Sequence, residues 1–156
     1  MKIDLPGERS VQIEHLVLDY NGTLAVDGRL IPGVRELLRS LSSRVKISVL
    51  TADTFGTAAE DLREINCILV VLPKGKQDIL KLNHVKKLGT DRTVCIGNGR
   101  NDLLMLREAV LGIAVLQEEG ASVQTVLNAD VASNSITDAL QLLTEPKRLV
   151  ATLRNA

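Results

Sequence analysis

Apolar runs of strand length alternate with helix-like segments along most of this chain. Three of these runs, HLVLD, KISVLT and TVCIG, end at Asp19, Thr51 and Gly97. Apolar strands that alternate with helices predict an α/β fold, in which helices cover both faces of a mostly parallel sheet. The carboxyl ends of parallel strands meet at one edge of the sheet, where ligands gather. We therefore expect Asp19, Thr51 and Gly97 to lie close together.

The predicted elements form one domain over residues 1–156, without a linker-like segment. Residues 1–14 are typical of a β-hairpin, with MKIDL and SVQIE on either side of a Pro-Gly turn. The run CILVVLP predicts a further strand over 67–73. Helical spacing predicts helices over 32–43, 56–65 and 78–89, and a terminal helix over 144–156.

Composition argues against several classes of partner. Nineteen Lys plus Arg balance nineteen Asp plus Glu, so no net field attracts nucleic acid or an anionic membrane. Tyr20 and Phe55 are the only aromatic residues, which leaves little surface for stacking bases. No apolar run reaches the roughly 20 residues that span a bilayer, and the polar start lacks a signal-peptide stretch. We expect a cytoplasmic protein in which Cys67 and Cys95 are buried thiols rather than a disulfide.

Asp19 begins the segment DYNGT, where a carboxylate leaves a buried strand and enters a tight turn at Asn21, Gly22 and Thr23. Backbone amides of such a turn can hold an anion. An Asp shortly before a Gly is by itself more often only a turn former. The other strand ends therefore decide how much weight Asp19 deserves.

Two further strand ends carry polar groups. Thr51 supplies a hydroxyl, and the amides of the helix predicted after it would suit a phosphate oxygen. Standing alone, such a Thr is more often a turn or helix-cap residue. The segment GNGRND supplies oxygen ligands on Asn98, Asn101 and Asp102. Hard oxygen ligands beside a phosphate suit Mg²⁺.

Together, DYNGT, VLT and GNGRND resemble the motifs of the haloacid dehalogenase (HAD) superfamily, which are DxDGT, a strand ending in Ser or Thr, and GDGxND. The resemblance covers roughly residues 14–132. Within the superfamily, this sequence is most similar to the phosphorylation domain of P-type ATPases and to small soluble proteins like that domain. The resemblance implies a Rossmann-like three-layer fold without a cap domain. It also implies that Asp19 attacks phosphorus to give an aspartyl phosphate, with Mg²⁺ as cofactor.

The same resemblance assigns roles to individual residues. The catalytic residues it implies are Asp19, Asn21, Thr51 and Lys81. The metal ligands it implies are Asp19, Asn21, Asn98 and Asp102. The phosphate contacts it implies are Tyr20, Gly22, Thr23, Thr51, Ala52 and Lys81.

The resemblance also implies a lysine that contacts the nucleophile and the phosphate, and motif spacing indicates which one it is. The family places one near the start of the helix before the last motif, and Lys74, Lys76 and Lys81 are candidates. The ATPase-like spacing KxxxVxxL falls on Lys81, Val85 and Leu88, which favours Lys81.

Two residues depart from the family pattern. Asn21 stands where most phosphatases of the family carry an Asp that protonates the leaving group, so proton transfer worth about 10² to 10⁴ in rate should be missing. Asn98 stands where an Asp usually coordinates or orients the metal, so Mg²⁺ affinity should be lower than with Asp. We therefore expect a slow Mg²⁺-dependent phosphohydrolase acting on a phosphorylated small molecule or protein. The alternative is a regulatory module that binds phosphate or a phosphoprotein with little turnover.

Partners follow from the same considerations. The balanced charge predicts binding to neither nucleic acid nor a membrane surface. The length of chain between the motifs leaves no room for a cap. In capless members of the family a neighbouring subunit often closes the site, so the resemblance allows for a homo-oligomer.

Overall fold

The computed structural model describes residues 1–7, 10–52 and 56–155, and its centre is a six-stranded sheet between two layers of helices. The strands are β1 (Lys2–Asp4), β2 (Ser10–Gln12), β3 (His15–Asp19), β4 (Ala25–Val26), β5 (Arg29–Leu30), β6 (Lys46–Thr51), β7 (Ile68–Val71), β8 (Thr93–Gly97), β9 (Leu111–Val115) and β10 (Val131–Ser133). The helices are α1 (Val34–Ser42), α2 (Ala58–Leu62), α3 (Gln77–Leu88), α4 (Leu103–Glu108), α5 (Val123–Asn128), α6 (Ile136–Thr144) and α7 (Pro146–Leu153). Short 3₁₀ turns lie at Thr90–Arg92 and Arg100–Asp102.

The central sheet has the strand order β10-β9-β8-β3-β6-β7, and every neighbouring pair is parallel. Leu18 of β3 lies opposite Val49 of β6 on one side and Ile96 of β8 on the other. The chain therefore continues from β3 in one direction and later returns to its other side, which makes β3 the point where the strand order switches. Ligands of open α/β sheets bind at the carboxyl ends of strands at such a point. The predicted α/β class and parallel sheet are confirmed.

Side chains alternate between the two faces of the central strands, as the pleat requires. On β3, Leu16 and Leu18 belong to one apolar cluster, which also holds buried residues of α1, α2 and α6. Val17 points to the opposite face and belongs to a second cluster with residues of α3 and α4. Both faces are apolar because helices cover both, and each fully buried Leu or Val contributes about 1.5–3 kcal/mol. This explains why the core strands are continuous apolar runs in the sequence.

Helix α4 packs unusually close to β9. A Cβ placed on Gly112 of β9 would collide with the backbone carbonyl of Leu106 in α4. Other residues on the face of the sheet that α4 covers are also small, including Ala114 and Cys95. Gly112 therefore sets the depth at which α4 lies, and α4 directly follows the loop that carries Asp102.

Two hairpins lie outside the central sheet. The predicted N-terminal hairpin is present as the antiparallel pair β1 and β2; residues 8–9 lie outside the described part of the chain. A second hairpin, β4–β5, was not expected from the sequence. Its turn places Asp27 at φ 51° and Gly28 at φ 76°. Asp-Gly is a strong signal for such a turn, but the two-residue strands are too short for an alternating pattern.

Several predicted boundaries differ from those observed. The helix predicted over 56–65 is only α2, Ala58–Leu62. The terminal helix predicted over 144–156 is α7, Pro146–Leu153, and it is separated from α6 because the residue before a proline, Glu145, avoids helical backbone angles. Cys95 is buried as expected, whereas Cys67, just before the edge strand β7, is only half-buried; both are free thiols. Among the described helices, none is long and apolar enough to cross a membrane.

Candidate active site

The carboxyl ends of β3, β6 and β8 bring Asp19, Thr51 and Asn98 to one edge of the sheet. A cavity of about 220 Å³ opens there. It is lined by Asp19, Asn21, Ala52, Gln77, Lys81, Asn98, Gly99 and Asn101. A wider groove of about 470 Å³ lies near the amino ends of the strands, where Glu14, Arg44 and Lys46 are among its walls. The buried charged groups lie at the first of these sites.

Lys81 bridges two carboxylates inside the protein. Its Nζ donates to Asp19 Oδ1 at 2.6 Å and to Asp102 Oδ1 at 2.7 Å. The Lys81 side chain is 1% exposed, and those of Asp19 and Asp102 are 8% and 0% exposed. Of the three candidate lysines, the structure brings only Lys81 to Asp19, while Lys74 and Lys76 are exposed at the start of α3. Buried charges of this kind need pairing, and here one ammonium serves two anions.

Asp102 is fixed by the loop that precedes it. Its Oδ2 accepts hydrogen bonds from the backbone N–H of Asn98 at 2.9 Å and of Gly99 at 2.8 Å. A Cβ on Gly97 would lie 2.5 Å from Asp102 Cγ, so only glycine lets the carboxylate come this close to the strand end. Gly97 therefore allows the close approach of Asp102 to the strand end, and Gly99 contributes its backbone N–H.

Thr23 orients the other carboxylate. Its hydroxyl, fully buried, lies 3.0 Å from Asp19 Oδ2, to which it donates, and 3.3 Å from Asn98 Oδ1. With Lys81 on Oδ1 and Thr23 on Oδ2, both oxygens of Asp19 have a donor. The Asp19 carboxylate is therefore held in one orientation at the cavity wall.

The turn after Asp19 uses its own backbone amides. The carbonyl of Tyr20 accepts from the N–H groups of Thr23, Leu24 and Ala25, and the Gly22 N–H donates to the Ala25 carbonyl. The sequence suggested that amides of Gly22 and Thr23 could hold an anion, but in this structure they are engaged inside the turn. The contacts of Tyr20, Gly22 and Thr23 with phosphate stay predictions. None of these three residues lines the cavity.

The Tyr20 side chain points away from the cavity. It is buried, and its hydroxyl donates to Asp61 Oδ2 at 2.7 Å. Asp61 also accepts from the backbone N–H of Leu30 in β5. Tyr20 thus ties β3 to α2 and to the β4–β5 hairpin, which is a structural contact.

Asn21 lies on the cavity wall with one unused group. Its Nδ2 donates weakly to Thr51 Oγ1 at 3.4 Å. Its Oδ1 is buried, and no partner for it is found in the part of the chain that the structure describes. An unpaired buried acceptor is unfavourable by about 1–3 kcal/mol. The position therefore calls for a cation or a hydrogen-bond donor from a ligand.

The electrostatics of the site show a deficit of positive charge. Burial, reinforced by the nearby Asp102 carboxylate, raises the pKa of Asp19 to about 7, although Lys81 and Thr23 oppose this. Burial alone would lower the pKa of Lys81, but the carboxylates of Asp19 and Asp102 outweigh it and the pKa is raised. Lys81 stays protonated, whereas Asp19 is ionised with difficulty. A further cation in the cavity would favour the ionised form.

The donor set fits a Mg²⁺ ion. Among the described residues, no three Asp, Glu, His or Cys side chains gather closely enough to hold a metal by themselves. Two carboxylates and two amide oxygens are present, however, on Asp19, Asp102, Asn98 and Asn21. A carboxylate offers about four lone pairs, and the hydrogen bonds described above use two on Asp19 and three on Asp102. Mg²⁺ takes few protein carboxylates and keeps several waters, so this set suits it.

Three residues of the site were not expected from the sequence. Gln77, at the start of α3, lines the cavity and accepts from Asn101 Nδ2 at 3.2 Å. Gln117, after β9, contacts the turn that carries Thr23. Gly99 lines the cavity through its backbone. Neither glutamine stands in a motif, and only the folded chain brings each to the site.

Comparisons with known proteins place the fold. No protein-family model matches the chain. The uncharacterised protein MJ0073 of Methanocaldococcus jannaschii is 41% identical over 85 residues, which are 52% of this chain and 91% of that protein. A second protein of that organism, MJ0072, also uncharacterised, is 49% identical over 39 residues, which are 25% of this chain and 89% of that protein.

Solved structures resemble most of the chain. The 3-deoxy-D-manno-octulosonate 8-phosphate phosphatase of Moraxella catarrhalis, in complex with magnesium, phosphate and KDO, has a TM-score of 0.67 at 20% identity, covering 91% of this chain and 94% of that one. The cobalt-bound deoxy-D-mannose-octulosonate 8-phosphate phosphatase of Haemophilus influenzae has a TM-score of 0.66 at 14% identity, covering 92% and 94%. A Streptomyces avermitilis chain assigned to the HAD family hydrolases has a TM-score of 0.66 at 19% identity, covering 83% and 82%.

At these identities the structures establish the fold, which is the Rossmann-like three-layer HAD fold expected from the motifs. The closer likeness to P-type ATPases stays a prediction. The order of its motifs resembles that of the haloacid dehalogenase superfamily, whose fold the chain has, and by sequence the chain belongs to the same family as MJ0073.

Proposed function

We propose that this protein is a Mg²⁺-dependent phosphohydrolase that uses Asp19 as its nucleophile. The observation that carries the proposal is the buried Asp19–Lys81–Asp102 cluster, which lies at the switch point of the sheet and opens into a small polar cavity. A carboxylate held by fixed donors beside a lysine is suited to attack an electrophilic phosphorus and to stabilise the charge that develops.

Each residue has a role in this reaction. An oxygen of Asp19 attacks phosphorus, the bond between phosphorus and the leaving oxygen breaks, and an aspartyl phosphate results. Lys81 steadies the ionised Asp19 and the phosphoryl oxygens, and Thr51 offers a hydroxyl from the neighbouring strand end. Water then attacks the acyl phosphate, which releases phosphate and restores the carboxylate.

The cation belongs to the same proposal. Asp19, Asn21, Asn98 and Asp102 would hold the Mg²⁺ ion, which when bound neutralises phosphate charge and offsets the charge deficit of the cluster. With Asn98 in place of a third carboxylate, affinity for the ion should be modest.

The cavity lining supports slow turnover as part of this proposal. Asp19 and Lys81 are the only ionisable side chains among its described lining residues. The amide of Asn21 cannot give or take a proton near neutral pH, so the leaving group must take its proton from solvent. This observation also favours the second candidate, a module that binds phosphate or a phosphoprotein and hardly turns it over.

The test is phosphate release with Mg²⁺ from a panel of phosphorylated sugars, sugar acids, nucleotides and phosphopeptides. Phosphorylated sugar acids belong in the panel because two of the similar solved structures are named as phosphatases of such a compound. Release by the wild type that Asp19→Asn abolishes supports the proposal. Asp27→Asn, an exposed change in the β4–β5 turn, is the matched control. Equal background in all three, together with saturable binding of inorganic phosphate, would favour the binding module.

A further inference from the structure

Gln117 makes three hydrogen bonds between parts of the chain that are distant in sequence. Its Nε2 donates to the carbonyls of Gly22 at 3.0 Å and of Thr23 at 2.6 Å. Its Oε1 accepts from the backbone N–H of Ile136, the first residue of α6, at 2.9 Å. The amide therefore uses both of its donor hydrogens on one turn and its oxygen on a helix end.

The orientation of this amide is fixed by its partners. If the group were flipped, its oxygen would face the carbonyls of Gly22 and Thr23, and its NH₂ would face the N–H of Ile136. Each of these contacts would be repulsive, so only one orientation satisfies all three partners. Gln117 thus acts as a rigid clamp and not as an adaptable surface side chain.

The clamp acts on a turn whose backbone amides at residues 22–25 are already engaged. The N–H groups of Gly22, Thr23, Leu24 and Ala25 are all bonded within the turn, while the carbonyls of Gly22 and Thr23 point outward to Gln117. Inside the turn, the Thr23 hydroxyl donates to Asp19 Oδ2. A shift of the turn would therefore move the donor that orients the Asp19 carboxylate.

Residues that follow Gln117 in the sequence also contact the loop that carries Asn98 and Gly99. Asn98 Nδ2 donates to the carbonyl of Gly120, and the Ser122 N–H donates to the carbonyl of Asn98. Thr125 of α5 donates to the carbonyl of Gly99. Residues 117–125 thus join the Asp19 turn to the loop that carries Asn98 and Gly99, and Gln117 supplies the hydrogen bonds to the carbonyls of that turn.

We infer that Gln117 is a positioning residue for Asp19: it holds the Gly22–Thr23 turn so that the Thr23 hydroxyl keeps the carboxylate in its attacking orientation. The inference rests on the proposed function, because an attacking orientation matters only if Asp19 is phosphorylated. A misplacement of about 1 Å at such a centre lowers rates by about 10².

Two variants of nearly the same size separate the contacts of Gln117. Gln117→Glu keeps an acceptor for Ile136 but loses both donors to the turn. Gln117→Met loses all three bonds. Ser135→Ala is the control, because the Ser135 hydroxyl caps the same helix α6 through Asp138 N–H and does not contact the turn. If the Met variant does not fold, the Glu variant decides the test.

The first readout is amide hydrogen exchange of Thr23, Leu24 and Ala25 in the metal-free protein, which needs no activity. Both Gln117 variants should exchange these amides on the order of tenfold faster, and Ser135→Ala should leave them unchanged. The second readout is binding of fluoroberyllate with Mg²⁺, an analogue of the aspartyl phosphate. Its dissociation constant should rise about tenfold to 10²-fold in both Gln117 variants only.

Unchanged exchange, or faster exchange with fluoroberyllate bound as tightly as by the wild type, would overturn the positioning role alone. If the wild type itself does not bind fluoroberyllate, the proposed function fails, and the positioning role fails with it. The two failures are thus distinguished by the behaviour of the wild type.

Discussion

Replacing Lys81 with Met tests the physical basis of the site most sharply. Met has nearly the length and helix propensity of Lys, so the change removes the ammonium with little effect on α3 itself. It leaves Asp19 and Asp102 buried without their shared cation. The loss of stability then measures what the ammonium contributes.

The expected size follows from the two contacts. At 2.6 Å and 2.7 Å, each ion pair has a gross attraction of about 6 kcal/mol at an effective dielectric constant of about 20. Desolvation of the ammonium offsets much of this attraction. Breaking a buried pair typically lowers the free energy of unfolding by about 3–5 kcal/mol, and we expect that loss at about pH 8.

The loss should shrink in acid. The pKa of Asp19 is raised to about 7 in the folded protein, so Asp19 holds a proton in the native state at pH values where the unfolded chain has lost it. Its contribution to stability is therefore full below about pH 4 and is lost as the pH rises through about 7. Near pH 5 the wild type has a neutral Asp19, and the Lys81 contact with it is weak. The loss caused by Lys81→Met should then fall to about half, or ~2 kcal/mol.

Urea unfolding with a chelator present, at about pH 5 and about pH 8, measures both values. Lys86→Met, an exposed change on the same helix, should stay within about 0.5 kcal/mol of the wild type at both. A loss that does not depend on pH, or one no larger than that of Lys86→Met, would refute the reasoning. If Lys81→Met does not fold, Asp19→Asn in the same chain should restore folding, because one of the two carboxylates is then neutral.

Three further substitutions test separate parts of the site. Asn21→Asp should raise phosphatase turnover by up to about 10²-fold, since it restores a proton carrier at the cavity wall; no gain in a folded variant would exclude proton transfer as the block. Asn98→Asp should tighten Mg²⁺ binding on the order of tenfold by adding a negative charge, and a calorimetric titration that finds no change would count against Asn98 as a ligand. Gly112→Ala should lower the free energy of unfolding by about 1–3 kcal/mol, because the new methyl group meets the Leu106 carbonyl; a loss under about 0.5 kcal/mol would show that α4 can move aside.

The central strands could be predicted because both of their faces are covered. Residues such as Leu16, Val17 and Leu18 must all be apolar when helices lie on each side of the sheet, and a continuous apolar run results. The end of each apolar run marks the carboxyl end of a strand, which is why the sequence could predict that Asp19 and the segment with Asn98 lie close together. Lys81 could be chosen by its spacing, but its burial between two carboxylates required the structure.

What the sequence did not predict depends on contacts between distant residues. Gln117 lies 95 positions from Gly22, and no local pattern distinguishes a clamp from an ordinary surface glutamine. The β4–β5 hairpin has strands of two residues, and its only local signal is Asp27-Gly28. The engagement of the turn amides by the Tyr20 carbonyl likewise follows from the folded turn and not from the letters DYNGT.

The proposed reaction depends on phosphorylation of Asp19. The most direct measurement is mass spectrometry of the protein quenched in acid after incubation with Mg²⁺ and a phosphorylated substrate or acetyl phosphate. We predict a mass increase of one phosphoryl group, located on the peptide that contains Asp19, lost on treatment with base and absent from Asp19→Asn. An unmodified wild type under conditions in which phosphate is released, or a phosphoryl group on another residue, would contradict Asp19 as the nucleophile.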